Sequence, residues 1–191
     1  MENEKYLFVV SGPSGVGKDT VVSALRGRHP EIGKTVSATT RAPRPGEQEG
    51  VNYFYRTKEE FLALVQADQI VEHNLYGGNY YGTLRSEVDR HLNAGAFVVL
   101  VIDVHGAANI KRLYPGCTTV FLLPPSAEVL EQRLRGRGTE DEASVQRRLE
   151  EARAELACAP TFDLRLVNTE VEDCAGQLYR LMARRVGLAA E

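Results

Sequence analysis

The chain has 191 residues, 43% of them apolar and 26% charged, the make-up of one globular domain with a real core. Its net charge of −3 excludes a polyanion binder that works by overall charge, and no apolar run approaches the ~18 residues of a membrane-spanning helix. Cys117, Cys158 and Cys174 are odd in number and form no C-x-x-C, which excludes a disulfide framework and fits reduced thiols in the cytosol.

The opening MENEKY is charged and leads straight into an apolar run, unlike a secretory signal. YLFVV (6–10) reads as a buried strand and KDTVVSALRGR (18–28) as a helix, with a Gly-rich loop between them. KTVSA (34–38) reads as a second strand, TTRAPRPGEQEG (39–50) as a turn-rich surface loop, and VNYFY (51–55) as a β-rich run. Thr57 and Glu60 form a capping-box pattern for a helix over KEEFLALVQAD. After IVEHNLYGGNYYGT, a helix near 84–94 ends at Gly95. AFVVLVID (96–103) is almost wholly apolar, as a central parallel strand covered on both faces would be. CTTVFLLPP (117–125) is another such strand, and Ser126 caps the helix after it. Thr139 and Glu142 form a second capping-box pattern, for EASVQRRLEEARAELA; FDLRLVN is a last strand and 171–186 a last helix.

Strands alternating with helices predict an α/β fold, a mostly parallel sheet flanked by helices on both faces. Ligands of such folds bind at the carboxyl ends of the strands. Gly12, Asp103, Pro124 and Asn168 fall at or just beyond strand ends, so they are expected to line one crevice.

Two loops carry chemistry. SGPSGVGKDT sets Gly12, Gly17 and Lys18 at the spacing of the phosphate-binding pattern G-x-x-x-x-G-K-[ST], but Asp19 stands where the hydroxyl belongs. In such a loop backbone N–H groups face phosphates, the helix N-terminus adds its dipole, and the lysine adds a mobile charge. Gly12, Pro13, Ser14, Gly15, Val16, Gly17, Lys18, Asp19 and Thr20 are therefore candidates for holding a nucleoside triphosphate. In the second loop Arg41 and Arg44 lie on a proline-stiffened segment with Tyr53 following, and two guanidinium forks suit a phosphate monoester.

Five motifs now stand in order across nearly the whole chain: SGPSGVGK, S-x-T-T-R-x-P-R-P-G-E-x-x-G-x-x-Y (37–53), GNYYGT (78–83), ID-x-x-G (102–106) and RLRGRGT…RRL (133–149). Together they resemble the guanylate kinases closely. The resemblance implies transfer of a phosphoryl group from ATP to GMP, with Mg²⁺, by a cytoplasmic enzyme of purine nucleotide metabolism. It implies a single P-loop domain whose core (1–33, 85–125, 155–191) carries two mobile parts, a GMP-binding region (34–84) and a lid (126–154). It assigns the GMP phosphate to Arg41, Arg44, Tyr53 and Tyr81, and the guanine to Ser37, Glu72, Thr83 and Asp103. Lid arginines fall on Arg133, Arg137 and Arg148, which with Lys18 and Arg41 form the catalytic set; Asn168 falls in the loop flanking the adenine. It implies no nucleic acid, membrane or obligate protein partner.

The residue chemistry agrees with that assignment. Guanine offers an acceptor at O6 and donors at N1 and N2; carboxylates accept only, so Glu72 and Asp103 suit the donors, while Ser37 and Thr83 hydroxyls suit O6. Adenine has the opposite pattern at positions 1 and 6. The attacking phosphate oxygen is already anionic, so no general base is needed, and His29, His73, His91 and His105 read as surface residues. Arg135 and Arg147 read as partners of nearby acids.

Two departures stand out: Asp19 replaces the loop hydroxyl, and Val101 stands where the family commonly carries an acid two before Asp103. One reading is a relocated metal carboxylate at Asp19; the others are a hydroxyl from Thr20 or a helix cap with Mg²⁺ held by phosphates and water. Two rival functions remain open at this point, a ribose-bisphosphate phosphokinase and an inactive guanylate-kinase-like protein-binding module.

Overall fold

The computed structural model describes residues 2–33, 35–136 and 142–188. In chain order the elements are β1 (Leu7–Ser11), α1 (Lys18–Arg28), β2 (Ser37–Thr39), β3 (Phe54–Tyr55), α2 (Lys58–Gln66), β4 (Ile70–Tyr76), β5 (Asn79–Leu84), α3 (Arg85–Asn93), β6 (Val98–Val101), α4 (Val104–Leu113), β7 (Thr118–Leu123), α5 (Ala127–Arg135), α6 (Glu142–Ala157), β8 (Leu164–Val167) and α7 (Val171–Val186). No helix among the described residues is long and apolar enough to cross a membrane.

The first sheet runs β6-β1-β7-β8 and is parallel throughout. Its two faces follow from the period of two along each strand. Phe8, Val10, Val120 and Leu122 pack with Val21 and Leu25 of α1 and Leu178 and Met182 of α7. Leu7, Val9, Leu100 and Phe121 pack on the other face with Val88 of α3 and Ile110 of α4.

One expectation is corrected here. The apolar run around β6 reads as a central strand, but β1 and β7 are central and β6 lies at the edge. It is buried all the same, because α1 and α3 cover its faces and Gly33 bridges Val98, donating its N–H to the Phe97 carbonyl at 2.7 Å. Apolarity reports covered faces, not a strand's place in the sheet order.

The second sheet runs β3-β2-β5-β4, with β2–β5 and β5–β4 antiparallel. Strands β4 and β5 form a hairpin through Gly77 and Gly78, whose φ angles of 57° and 79° are those a tight two-residue turn demands. Ala38, Phe61, Ile70 and Leu84 make this sheet's own small core with α2. A third cluster, Leu130, Leu134, Val145, Leu149 and Ala152, joins α5 to α6.

Helix α2 carries the predicted capping box: Glu60 N–H donates to Thr57 Oγ1 at 3.1 Å and Thr57 N–H to Glu60 Oε2 at 2.7 Å. Ser126 caps α5 as expected, its hydroxyl accepting the Val129 N–H at 3.3 Å. The box proposed at Thr139 lies outside the described residues. Substituting Thr57→Ala removes a side-chain cap far from the first sheet and is expected to lower unfolding stability by about 1 kcal/mol. Urea denaturation measures it; an unchanged midpoint contradicts the cap.

Candidate active site

The Gly-rich loop lies between β1 and α1. Gly12 has φ 145°, and a Cβ there would sit 2.5 Å from the Leu122 carbonyl oxygen, so only glycine fits against β7. Gly17, at φ 96°, is the N-cap of α1. Lys18 Nζ folds over the loop, donating to the Gly12 carbonyl at 2.6 Å and the Pro13 carbonyl at 3.3 Å.

Three side chains brace this loop from behind. Asn168, only 1% exposed, donates from Nδ2 to the Val16 carbonyl at 2.8 Å. Arg133 Nη1 reaches the same carbonyl at 3.3 Å. Glu155 of α6 accepts the Ser14 N–H at 3.1 Å, and burial raises its carboxyl pKa. Of the four residues expected at one crevice, Asp103 lines the cleft described next, Gly12 and Asn168 are buried at the loop, and Pro124 is half-buried. The Asn168 side chain is thus turned to the loop backbone by a carbonyl that needs a donor.

In front of the loop opens a cleft of about 880 Å³, walled by α1 on one side and the second sheet on the other. Lys18, Asp19, Ser37, Tyr53, Glu72, Tyr81, Thr83 and Asp103 all line it. The strand register explains the grouping: Thr83 pairs with Ser37 on one side and Glu72 on the other, so three predicted base-reading residues form one row across β2, β5 and β4. Thr83 Oγ1 donates to Glu72 Oε1 at 2.6 Å. Burial above all, with the nearby Asp103 charge adding, raises the Glu72 carboxyl pKa above its ordinary value. Asp103 faces this row as the N-cap of α4, its Oδ1 accepting the Gly106 N–H at 2.8 Å and its Oδ2 the Asn74 amide at 3.1 Å.

The predicted phosphate residues gather one row along. The Arg41 guanidinium lies 5.5 Å from the centre of the Tyr53 ring, and Tyr53 meets Tyr81 edge-on at 5.9 Å. Arg44 is exposed beside them. The residue at the hub is one the sequence reading gave no role, Glu47. Both its oxygens accept from Arg41 Nη2, at 2.8 and 2.9 Å, and Oε2 also accepts the Arg44 N–H at 2.7 Å and the Tyr55 hydroxyl at 2.8 Å. Arg41 first, then the Arg44 N–H, hold the Glu47 carboxyl down at about 2. An acid six residues after Arg41 in a proline-stiffened basic loop is the signal that points to it.

Asp19 stands exposed in the first turn of α1, on the same cleft as Val101 and Asp103; Thr20 is exposed and one helical step away. Arg148 lies half-buried on α6, and Arg137 falls outside the described residues. Arg135 pairs with Glu131 at 2.8 Å and Glu142 at 2.6 Å, the structural role expected of it.

A Gly-rich loop between the first strand and first helix of a parallel α/β sheet, facing a cleft with basic and acidic walls, defines a P-loop phosphotransferase. The comparisons narrow the class. The sequence model of the guanylate kinase family matches residues 4–185, and the chain belongs to that family. A guanylate kinase of Synechococcus sp. (strain JA-3-3Ab) is 51% identical over 92% of this chain and 81% of its own. One from Streptomyces coelicolor is 50% identical over 92% of this chain and 89% of its own. The crystal structure of guanylate kinase from Anaplasma phagocytophilum superposes with a TM-score of 0.71 at 31% identity, covering 96% of this chain and 87% of that one.

Glu47→Ala releases Arg41 from its bidentate partner, and ordering a freed arginine opposes binding. Titration calorimetry with a nucleoside monophosphate is expected to show about tenfold weaker binding; unchanged affinity contradicts the role.

Proposed function

We propose that this guanylate kinase transfers the γ-phosphoryl group of ATP to GMP, giving ADP and GDP, with the base read by the row Ser37, Thr83 and Glu72 and by Asp103 beside it. The observation that carries the reading is that row: two hydroxyls and two carboxylates on one cleft, the hydroxyl of Thr83 already donating to Glu72 at 2.6 Å. Carboxylates accept from guanine N1–H and the 2-amino group, and the Ser37 hydroxyl donates to O6, joined by Thr83 once its single O–H turns from Glu72. Adenine would leave a buried acceptor facing an acceptor.

The remaining residues position and neutralise. Arg41, Arg44, Tyr53 and Tyr81 hold the acceptor phosphate, whose oxygen attacks without a general base. The loop from Gly12 to Thr20 cradles the ATP phosphates, Lys18 leaving its carbonyl partners for them, and Arg133, leaving the Val16 carbonyl, closes with Arg137 and Arg148 over the transferring group to exclude water. The regions 34–84 and 126–154 serve as the moving parts; their separate small cores support treating them as units. Asn168 acts from beneath, by holding the Val16 carbonyl. The free thiols of Cys117, Cys158 and Cys174 support a reducing, cytoplasmic location.

Mg²⁺ suits the donors present. It takes one or two carboxylates and completes its shell with phosphates and water; no group of three or more His, Cys, Asp or Glu among the described residues could cage it unaided, whereas the exposed Asp19 carboxylate stands on the cleft beside Lys18. When bound it neutralises charge on the phosphates. Asp19 supplies the carboxylate that Val101 does not.

An ADP-release assay with GMP, AMP, UMP and ribose 1,5-bisphosphate tests the function. Turnover with GMP above all others is expected; equal turnover with AMP sinks the guanine row, and none with any acceptor favours a binding module. Glu72→Gln is expected to cut the preference for GMP over AMP about 100-fold. For the metal, Asp19→Ser is expected to weaken the gain in ADP affinity that Mg²⁺ confers, with adding Val101→Asp restoring much of it; additive losses rule the relocation out.

A further inference from the structure

We propose that Asn74, for which the sequence reading gave no role, is a positioning residue that makes Asp103 selective for the 2-amino group of guanine, an inference that rests on reading the cleft as a guanine site. Asn74 lies two residues after Glu72 on β4, so both face the cleft. Its partner across the hairpin is Tyr81, where the partner of Glu72 is Thr83. It therefore stands one pleat from the base row, toward the phosphate residues.

Its amide Nδ2 donates to Asp103 Oδ2 at 3.1 Å, while the α4 backbone at Gly106 takes Oδ1 at 2.8 Å. Only the nitrogen can donate to a carboxylate, which fixes the amide's sense. The helix cap alone pins one oxygen and leaves the carboxylate free to turn about it. The Asn74 bond pins the second oxygen and leaves that oxygen a further lone pair to accept with.

The order of groups across the cleft gives this pinning its meaning. Ser37 on β2, Thr83 on β5 and Glu72 on β4 follow in line, and Asp103 lies beyond them at the α4 terminus. Guanine's edge runs O6, N1, 2-amino in the same sense, so with the Ser37 hydroxyl on O6 and Glu72 on N1, Asp103 meets the 2-amino group. The Asn74 donor also offsets the repulsion between the Asp103 and Glu72 carboxylates, which stand close enough for Asp103 to raise the Glu72 pKa.

The test compares GMP with IMP, the same nucleotide lacking the 2-amino group, by calorimetric Kd and steady-state kinetics. Asn74→Ala is expected to weaken GMP about tenfold, the support of one charge-assisted bond, with the loss in Kd and KM rather than kcat. IMP affinity is expected to hold within about twofold. Asn74→Asp sets a third carboxylate against Asp103, weakens GMP further, and moves the acid limb of kcat/KM to higher pH. Equal losses for GMP and IMP, or an unchanged GMP Kd, overturn the proposal. Native protein that neither binds nor turns over GMP overturns the underlying guanine reading instead.

Discussion

Two carboxylates on one cleft wall set the terms for the rest of the site. Glu72 and Asp103 come from different sheets' territory, one from a hairpin strand and the other from the end of a parallel strand, yet both face the same space. Burial makes the charge on Glu72 expensive and Asp103 makes it more so. A ligand that brings N–H donors relieves both; one that brings acceptors aggravates both. The hairpin, the α4 cap and the register of β2 with β5 are what hold that charge in place.

The basic side of the site is settled in the opposite way. Lys18 rests on the carbonyls of its own loop, and Arg41 is clasped by Glu47. Glu47 stays ionised down to about pH 2, so the clasp persists throughout the working range of an ordinary enzyme. Glu155 similarly holds the Ser14 N–H of the phosphate loop. Lys18 and Arg41 thus each rest on oxygen acceptors of the protein itself, which keeps the cleft ordered.

Much of this was legible in residue patterns where local chemistry decides. The bounds of α1, α6 and α7 follow from apolar spacing, and the Thr57–Glu60 box and the Ser126 cap from side chains that act within one turn. The alignment of Ser37, Thr83 and Glu72 depends instead on strand register, which comes from the Gly77-Gly78 hairpin, a turn signal in plain view whose flanking run alternates too weakly to read as strands. α4 went unread because VHGAANIKRL has a glycine and a histidine in its first turn and takes its start from Asp103, a residue that the same chain uses in the cleft. The edge position of β6 and the brace from Asn168 to Val16 are long-range facts; no local pattern encodes which strand neighbours which, or which carbonyl a buried amide will find. Glu155 and Asn74 act through partners far away in the chain, and Glu47, close to Arg41 in its own loop, acts through that arginine rather than on a ligand.

On the proposed base reading, GMP relieves the charge on Glu72, and counting the protons exchanged on binding checks this. Titration calorimetry of GMP in two buffers of different protonation enthalpy, at a pH between the ordinary glutamate value and neutrality, reads protons released on binding. Donors from the base favour the ionised carboxylate, so a carboxyl with a raised pKa gives up its proton as guanine arrives. Greater proton release is expected for the native protein than for Glu72→Gln, the contribution of the GMP phosphate cancelling between them. Equal release from both, or net uptake by the native protein relative to the variant, contradicts it.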